Sequence, residues 1–228
     1  MLYGGLIVKL LLNALAKFVC GLLLVGLLIF LPAGTLAYAG GWLLICLLFV
    51  PMLMAGFVMF FKVPDFLAKR LDVREKQTTQ KGVLAFSGLM FVAGFVVAGL
   101  DFRFGWSQVP PAVVLIASVL FLSAYALYAE VMRENAWLSR TIKVEEGQTV
   151  VDTGLYGIVR HPMYMATIAL FLMIPLILGS WYALIIFAFY PAIIIARLKD
   201  EEALLTRELP GYAAYKQKVK YRILPFIW

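Results

Sequence analysis

The chain has 228 residues, 64% of them apolar and 14% charged, with a formal net charge of +7. Charged residues are about half as frequent as in soluble globular proteins, and apolar runs of bilayer length recur along the whole chain, which excludes a water-soluble enzyme and predicts an integral membrane protein. The surplus of Lys and Arg is then read as contact of loops with the cytoplasm and with anionic lipid rather than with nucleic acid.

Six apolar runs, at about 10–31, 41–61, 83–100, 111–131, 163–179 and 181–197, predict an all-α polytopic bundle of about six transmembrane helices in one domain, 1–228. The first run contains Lys17, is long, and is not followed by a small-residue cleavage site with a soluble mature chain after it, so it is expected to stay as a span rather than leave as a signal peptide. Cys20 and Cys46 both lie in apolar runs. They form no CxxC, and with a single histidine in the chain no metal cluster is expected. The connector 62–82 holds six basic residues, and 133–160 and 197–222 also carry Lys and Arg, whereas "PAGTLAYAG" and "GSW" are uncharged. The positive-inside rule therefore predicts a multi-pass protein of the cell membrane with both termini cytoplasmic.

The last two runs are joined by Gly179 and Ser180, which predicts a tight helical hairpin, with kinks where Pro175 and Pro191 fall. The final helix is expected to leave the membrane through "ARLKDEEALLTREL" and to stop at Pro210-Gly211. The tail "YAAYKQKVKYRILPFIW" has the mixed tyrosine, lysine and tryptophan content of an interfacial segment.

No GxGxxG, P-loop, GxSxG or HExxH is present, so any active site has to be built from helix ends. One such end is "GLYGIVRHPMYM", which carries the lone His161. Pro162 suits the first helical position, making His161 the cap residue and leaving free N–H groups beside Arg160. A second is the extension of the last span, where Arg197, Glu201, Leu204 and Glu208 share one face and Glu202 points about 100° away. The run "KDEE" would by default be a solvated face. A third is the end of the fourth span, where Glu130, Arg133 and Glu134 stand at helical spacing after a long uncharged stretch, so Glu130, Arg133 and Asn135 are expected beside a substrate. A cation, an anion and a free helix N-terminus at one end of a bundle form a charge pattern suited to a zwitterion of amino-acid type.

"TVVDTGLYGIVRHPMYMATIALFLMIPLILGSW" followed by "ARLKDEEALLTRELPGYAAYKQKVKYRILPF" resembles the isoprenylcysteine carboxyl methyltransferase and phospholipid methyltransferase group of integral membrane methyltransferases. The G-x-Y, RHPxY, LGSW, R-x-x-x-E-E and Y-x-x-Y elements occur in order over roughly 135–228, with "LPGY" where relatives more often have "FGEEY". The resemblance implies that 133–228 is the cofactor-binding and catalytic half and 1–132 a span-rich half. It implies S-adenosyl-L-methionine as cofactor, held by Gln148, Thr149, Val150, Val151, Tyr156, His161, Pro162, Met163 and Tyr164. Arg197 and Glu201 would stand beside the reacting centre. The partners implied are the bilayer and a lipidic or small methyl acceptor, with no nucleic acid and no metal. The sulfonium methyl is already activated, so in-line placement in a dry electrostatic setting carries most of the chemistry. An amine acceptor would also need a proton acceptor, Glu201 or Glu130. A second reading is a sterol-type reductase using NADPH, its phosphates met by Arg160, Arg133 and Lys143. A third, a scaffold or transporter, predicts inverted repeats or a polar residue at mid-membrane depth, and the sequence displays neither.

Overall fold

The computed structural model describes residues 2–71, 78–138 and 144–228, and among these it contains nine α-helices and no strand. They are α1 (Leu2–Ala33), α2 (Ala39–Lys62), α3 (Pro64–Leu71), α4 (Thr78–Phe104), α5 (Pro111–Glu134), α6 (Pro162–Ile177), α7 (Trp181–Phe187), α8 (Tyr190–Glu208) and α9 (Tyr212–Lys218). Five stretches are long and apolar enough to cross a bilayer: Ile7–Ala33, Ala39–Lys62, Gln80–Phe104, Pro111–Glu134 and Trp181–Glu208. Their outer faces carry Leu23, Leu31, Phe57, Leu89 and Leu115 exposed to the surroundings, as lipid-facing side chains must be, since hydrocarbon rather than water solvates them.

The second half of the bundle departs from six equal spans. With 16 residues, α6 rises only about 24 Å, short of the roughly 30 Å hydrocarbon core. The last span is interrupted: α7 ends at Phe187 and α8 begins at Tyr190. The cause is Pro191, which has no N–H to offer the carbonyl one turn earlier. Pro175 lies inside α6, in its final turn, where a missing N–H disturbs little of the helix.

Two kinds of contact close the bundle. Helices α1 and α4 approach backbone to backbone at Gly99, where a Cβ would lie 2.6 Å from the Ile29 carbonyl. Between α4, α6 and α7–α8 lies an aromatic core in which Phe91 meets Phe171 edge-on at 4.8 Å and Phe171 meets Tyr190 at 4.7 Å, the offset geometry that ring quadrupoles favour.

The hairpin end of the bundle is tied by Asp101, which is 1% exposed at the end of α4. Its carboxylate accepts from the Ser107 N–H at 2.7 Å, from the Ser107 hydroxyl at 2.6 Å and from the Ser180 hydroxyl. Ser180 in turn caps α7 by accepting from the Ala183 N–H, and the Tyr38 hydroxyl donates to the Leu178 carbonyl. Asp101→Ala strands these donors in a buried place, so a loss of about 2–3 kcal/mol is expected. Thermal unfolding in detergent checks it, with ligand binding at the opposite end retained.

Candidate active site

The opposite end carries α3, the turn before α6, the extension of α8 and the C-terminal tail, and between them lies a pocket. It holds about 840 Å³ of empty space, open mouth included.

The turn before α6 is built around Glu134, the last residue of α5. Its carboxylate accepts the Leu155 N–H at 3.0 Å, the first step of a 3-10 turn over Gly154–Gly157. Gly154 has φ +52°, and a Cβ there would fall 1.7 Å from the Glu134 Oε1. Asn135 caps α5 and donates to the Tyr156 hydroxyl at 2.9 Å, while the Tyr156 carbonyl accepts from Tyr215 at 2.8 Å. The phenol of Tyr156 is buried, and burial pushes its pKa well up, so it stays protonated. Behind the turn, Val131, Leu138 and Tyr156 pack with Phe66 of α3, Val151 and Met163.

The cap of α6 follows. His161 has non-helical dihedrals, and its carbonyl takes the N–H groups of Tyr164 and Met165, with Pro162 at the first helical position as the sequence predicts. Arg160 and His161 are both buried, at 7% and 6% exposure. Their backbone N–H groups donate to the Tyr221 and Arg222 carbonyls at 2.9 and 2.8 Å. The Arg160 guanidinium donates to Glu202 Oε1 at 2.6 Å and to the Val219 and Lys220 carbonyls, and His161 Nε2 lies 3.2 Å from the same Glu202 oxygen. Glu202 is thus not part of a solvated face. It is 5% exposed, with its other oxygen 3.3 Å from Arg222 and 4.0 Å from Lys216. One carboxylate ties α8, the cap of α6 and the tail together, and separates the pocket from an open basic groove lined by Lys199, Thr206, Arg207, Lys216 and Arg222.

One turn from the cap, Tyr164 joins the two helices. Its hydroxyl donates to Glu201 Oε2 and accepts from Arg197 Nε at 3.1 Å. Arg197 also donates to Gln80 at 3.2 Å, and Gln80, fully buried at the start of α4, donates to Asp200 at 2.8 Å. The i,i+4 pair of α8 therefore meets at a phenol from α6, which the sequence could not place.

The pocket brings together most of the residues singled out from the sequence. Gln148, Thr149, Val150 and Val151 line one side, Tyr156, His161, Met163 and Tyr164 another, and Arg197 and Glu201 a third. Pro162 is buried behind them. Of the three residues set beside a substrate, Asn135 is at the pocket. Glu130 and Arg133 stand apart, bonded to each other at 2.5 and 2.7 Å on the exposed side of α5. Lys143 lies outside the described residues. The pocket also takes Trp137, Leu205, Leu209, Tyr212 and Tyr215. Tyr212 and Tyr215 are the Y-x-x-Y pair, visible as a motif but not assignable to a wall before the tail was seen to fold back. Among the described residues no group of three or more His, Cys, Asp and Glu is placed to hold a metal.

No curated protein matches the chain. Residues 113–207, from α5 to the end of α8, match the isoprenylcysteine carboxyl methyltransferase (ICMT) family. That segment contains the cap of α6, Tyr164, Arg197 and Glu201, so it is in the residues around the pocket that the chain is similar to this family of membrane methyltransferases.

Proposed function

We propose that the protein transfers the methyl group of S-adenosyl-L-methionine to a lipidic or small acceptor, an isoprenylcysteine-like carboxylate, a thiol or a phospholipid amine, at the cytoplasmic face of the cell membrane. The observation that carries this reading is the convergence of Arg197, Glu201 and Tyr164 on one pocket with the 148–151 strip. The residues present suit the cofactor: a guanidinium and a carboxylate for a zwitterion, and an aromatic and aliphatic wall for a purine. When bound, the cofactor supplies an electrophilic methyl that needs no further activation.

The chain's own contribution is placement and electrostatics. Arg197 and Glu201 are held by Tyr164 and Gln80, so their charges are oriented before a ligand arrives and cost little reorganisation in the transition state. The apolar cluster of Val131, Leu138 and Tyr156 backs the pocket and keeps water from it. A carboxylate or thiolate acceptor needs no base. For an amine, Glu201 is the carboxylate at the pocket placed to take the proton, whereas Glu130 is engaged with Arg133 outside it.

The test is transfer of label from methyl-tritiated cofactor by the purified protein to thiol, prenyl-cysteine, amine and phospholipid acceptors. Transfer to one class is expected, with thermal stabilisation by S-adenosylhomocysteine. Stabilisation by NADPH in its place would point to the reductase reading instead. A further variant probes the turn before α6: Gly154→Ala forces Glu134 away from the Leu155 N–H, and the resulting shift of Tyr156 and His161 is expected to lower turnover about a hundredfold, read as initial rate at saturating cofactor.

A further inference from the structure

Tyr212 begins α9, beyond the segment that matches the methyltransferase family. It is 4% exposed, and its hydroxyl is buried with no hydrogen-bond partner among the described residues. The side chain lines the pocket. A buried hydroxyl without an acceptor loses its hydration and gains nothing in return, so a native protein rarely keeps one without cause. The neighbouring phenols show the contrast: Tyr156 is met by Asn135, Tyr164 by Glu201 and Arg197, and Tyr215 by the Tyr156 carbonyl.

The surroundings indicate which part of a ligand would supply the acceptor. The Tyr212 ring belongs to an apolar cluster with Leu209, Tyr215 and Val219, against which Val150 and Leu205 pack. The ionic groups of the pocket stand on other elements, Arg197 and Glu201 on α8 and Arg160 beside the cap of α6. The pocket thus has a wall for a zwitterion and a greasy wall carrying one unpartnered hydroxyl, that of Tyr212, and a flat heteroaromatic base with polar edge atoms matches the second. Burial, with Glu202 and Glu201 nearby, holds the phenol pKa well above its ordinary value, so the group keeps its proton and is a donor.

We propose that the Tyr212 hydroxyl donates a hydrogen bond to the nucleoside end of the pocket's ligand, which orients the cofactor with its purine toward α9 and its amino-acid end toward Arg197 and Glu201. This rests on the methyltransferase reading above. The experiment is Tyr212→Phe, which removes one oxygen, titrated by calorimetry with S-adenosylhomocysteine and with 5′-methylthioadenosine, which has the nucleoside but no amino-acid end. Both affinities are expected to fall about tenfold, while the unliganded variant melts no lower than the unaltered protein. Equal affinities in variant and unaltered protein overturn the assignment. So does a loss confined to S-adenosylhomocysteine, which would place the hydroxyl at the amino-acid end. A variant that melts several degrees lower, or does not fold, overturns it too, because the hydroxyl then serves the fold. If the unaltered protein itself binds neither compound, the methyltransferase reading fails, and this assignment fails with it.

Discussion

Glu202→Ala is expected to be the most damaging single substitution at the pocket end, lowering stability by about 3 kcal/mol or more. The variant leaves the Arg160 guanidinium, 7% exposed, with only the Val219 and Lys220 carbonyls, and releases Arg222 and Lys216 from a shared partner. A buried cation deprived of its carboxylate keeps its full desolvation penalty, which is why removing one partner costs far more than the pair contributes. Two readouts check the outcome. The apparent Tm in detergent falls by several degrees, and limited proteolysis cleaves within 209–228, since the Arg160–Glu202 pair, with Arg222 on the same carboxylate, is one of the ties that hold that tail to α8 and the cap of α6. Glu202→Gln keeps the shape and one acceptor oxygen, so a smaller fall is expected. An unchanged melting temperature and an intact tail in Glu202→Ala would show that the backbone pairing of Arg160 and His161 with 221–222 suffices alone.

The neighbouring carboxylate is expected to behave in the opposite way. Glu201→Gln should fold and melt as the unaltered protein does, yet lose about a hundredfold or more in turnover, because the amide oxygen can still accept from Tyr164 and keep α6 tied to α8, while the charge facing the pocket is lost. Arg197→Ala should lose at least as much. Arg197→Lys should rescue little, since an ammonium cannot reproduce the fork that reaches both Tyr164 and Gln80. Tyr164→Phe serves as the intermediate case, leaving both charges but removing the oxygen that orients them. Rates at saturating cofactor, set beside melting curves for each variant, decide the matter: a Glu201→Gln variant with unaltered turnover would remove it from the site. Two adjacent glutamates on one helix would then differ in kind, one carrying stability and the other activity.

The contrast also shows how far the sequence reaches. Apolar runs and charged connectors were enough for an all-α membrane bundle, because the bilayer imposes length and composition on each span separately. The Pro162 start and His161 cap of α6 were legible for the same reason: they depend on backbone chemistry within a few residues. The helical face of Arg197 and Glu201 follows from 100° per residue. That Glu201 and Glu202 point in different directions was therefore visible.

What each glutamate points at was not. The default for "KDEE" is a solvated face, and only the return of the tail over α8 buries Glu202. Arg160 looks like a residue that reaches for phosphate, yet tertiary packing hands it to Glu202 and two carbonyls. Gln80 carries no local signal of a site, being a lone polar residue at a helix start, and Tyr212 is legible only as half of a Y-x-x-Y element in an interfacial-looking tail, with no wall assigned to it. The Arg197 partner of Gln80 lies 117 residues along the chain, and no periodicity encodes such a separation. Local rules, acting on one helix at a time, determined the spans, the cap of α6 and the family elements of this chain. Which charges are buried against each other, and which stay turned to the pocket, was decided only by the tertiary structure, because burial is a property of what packs across a helix and not of the helix itself.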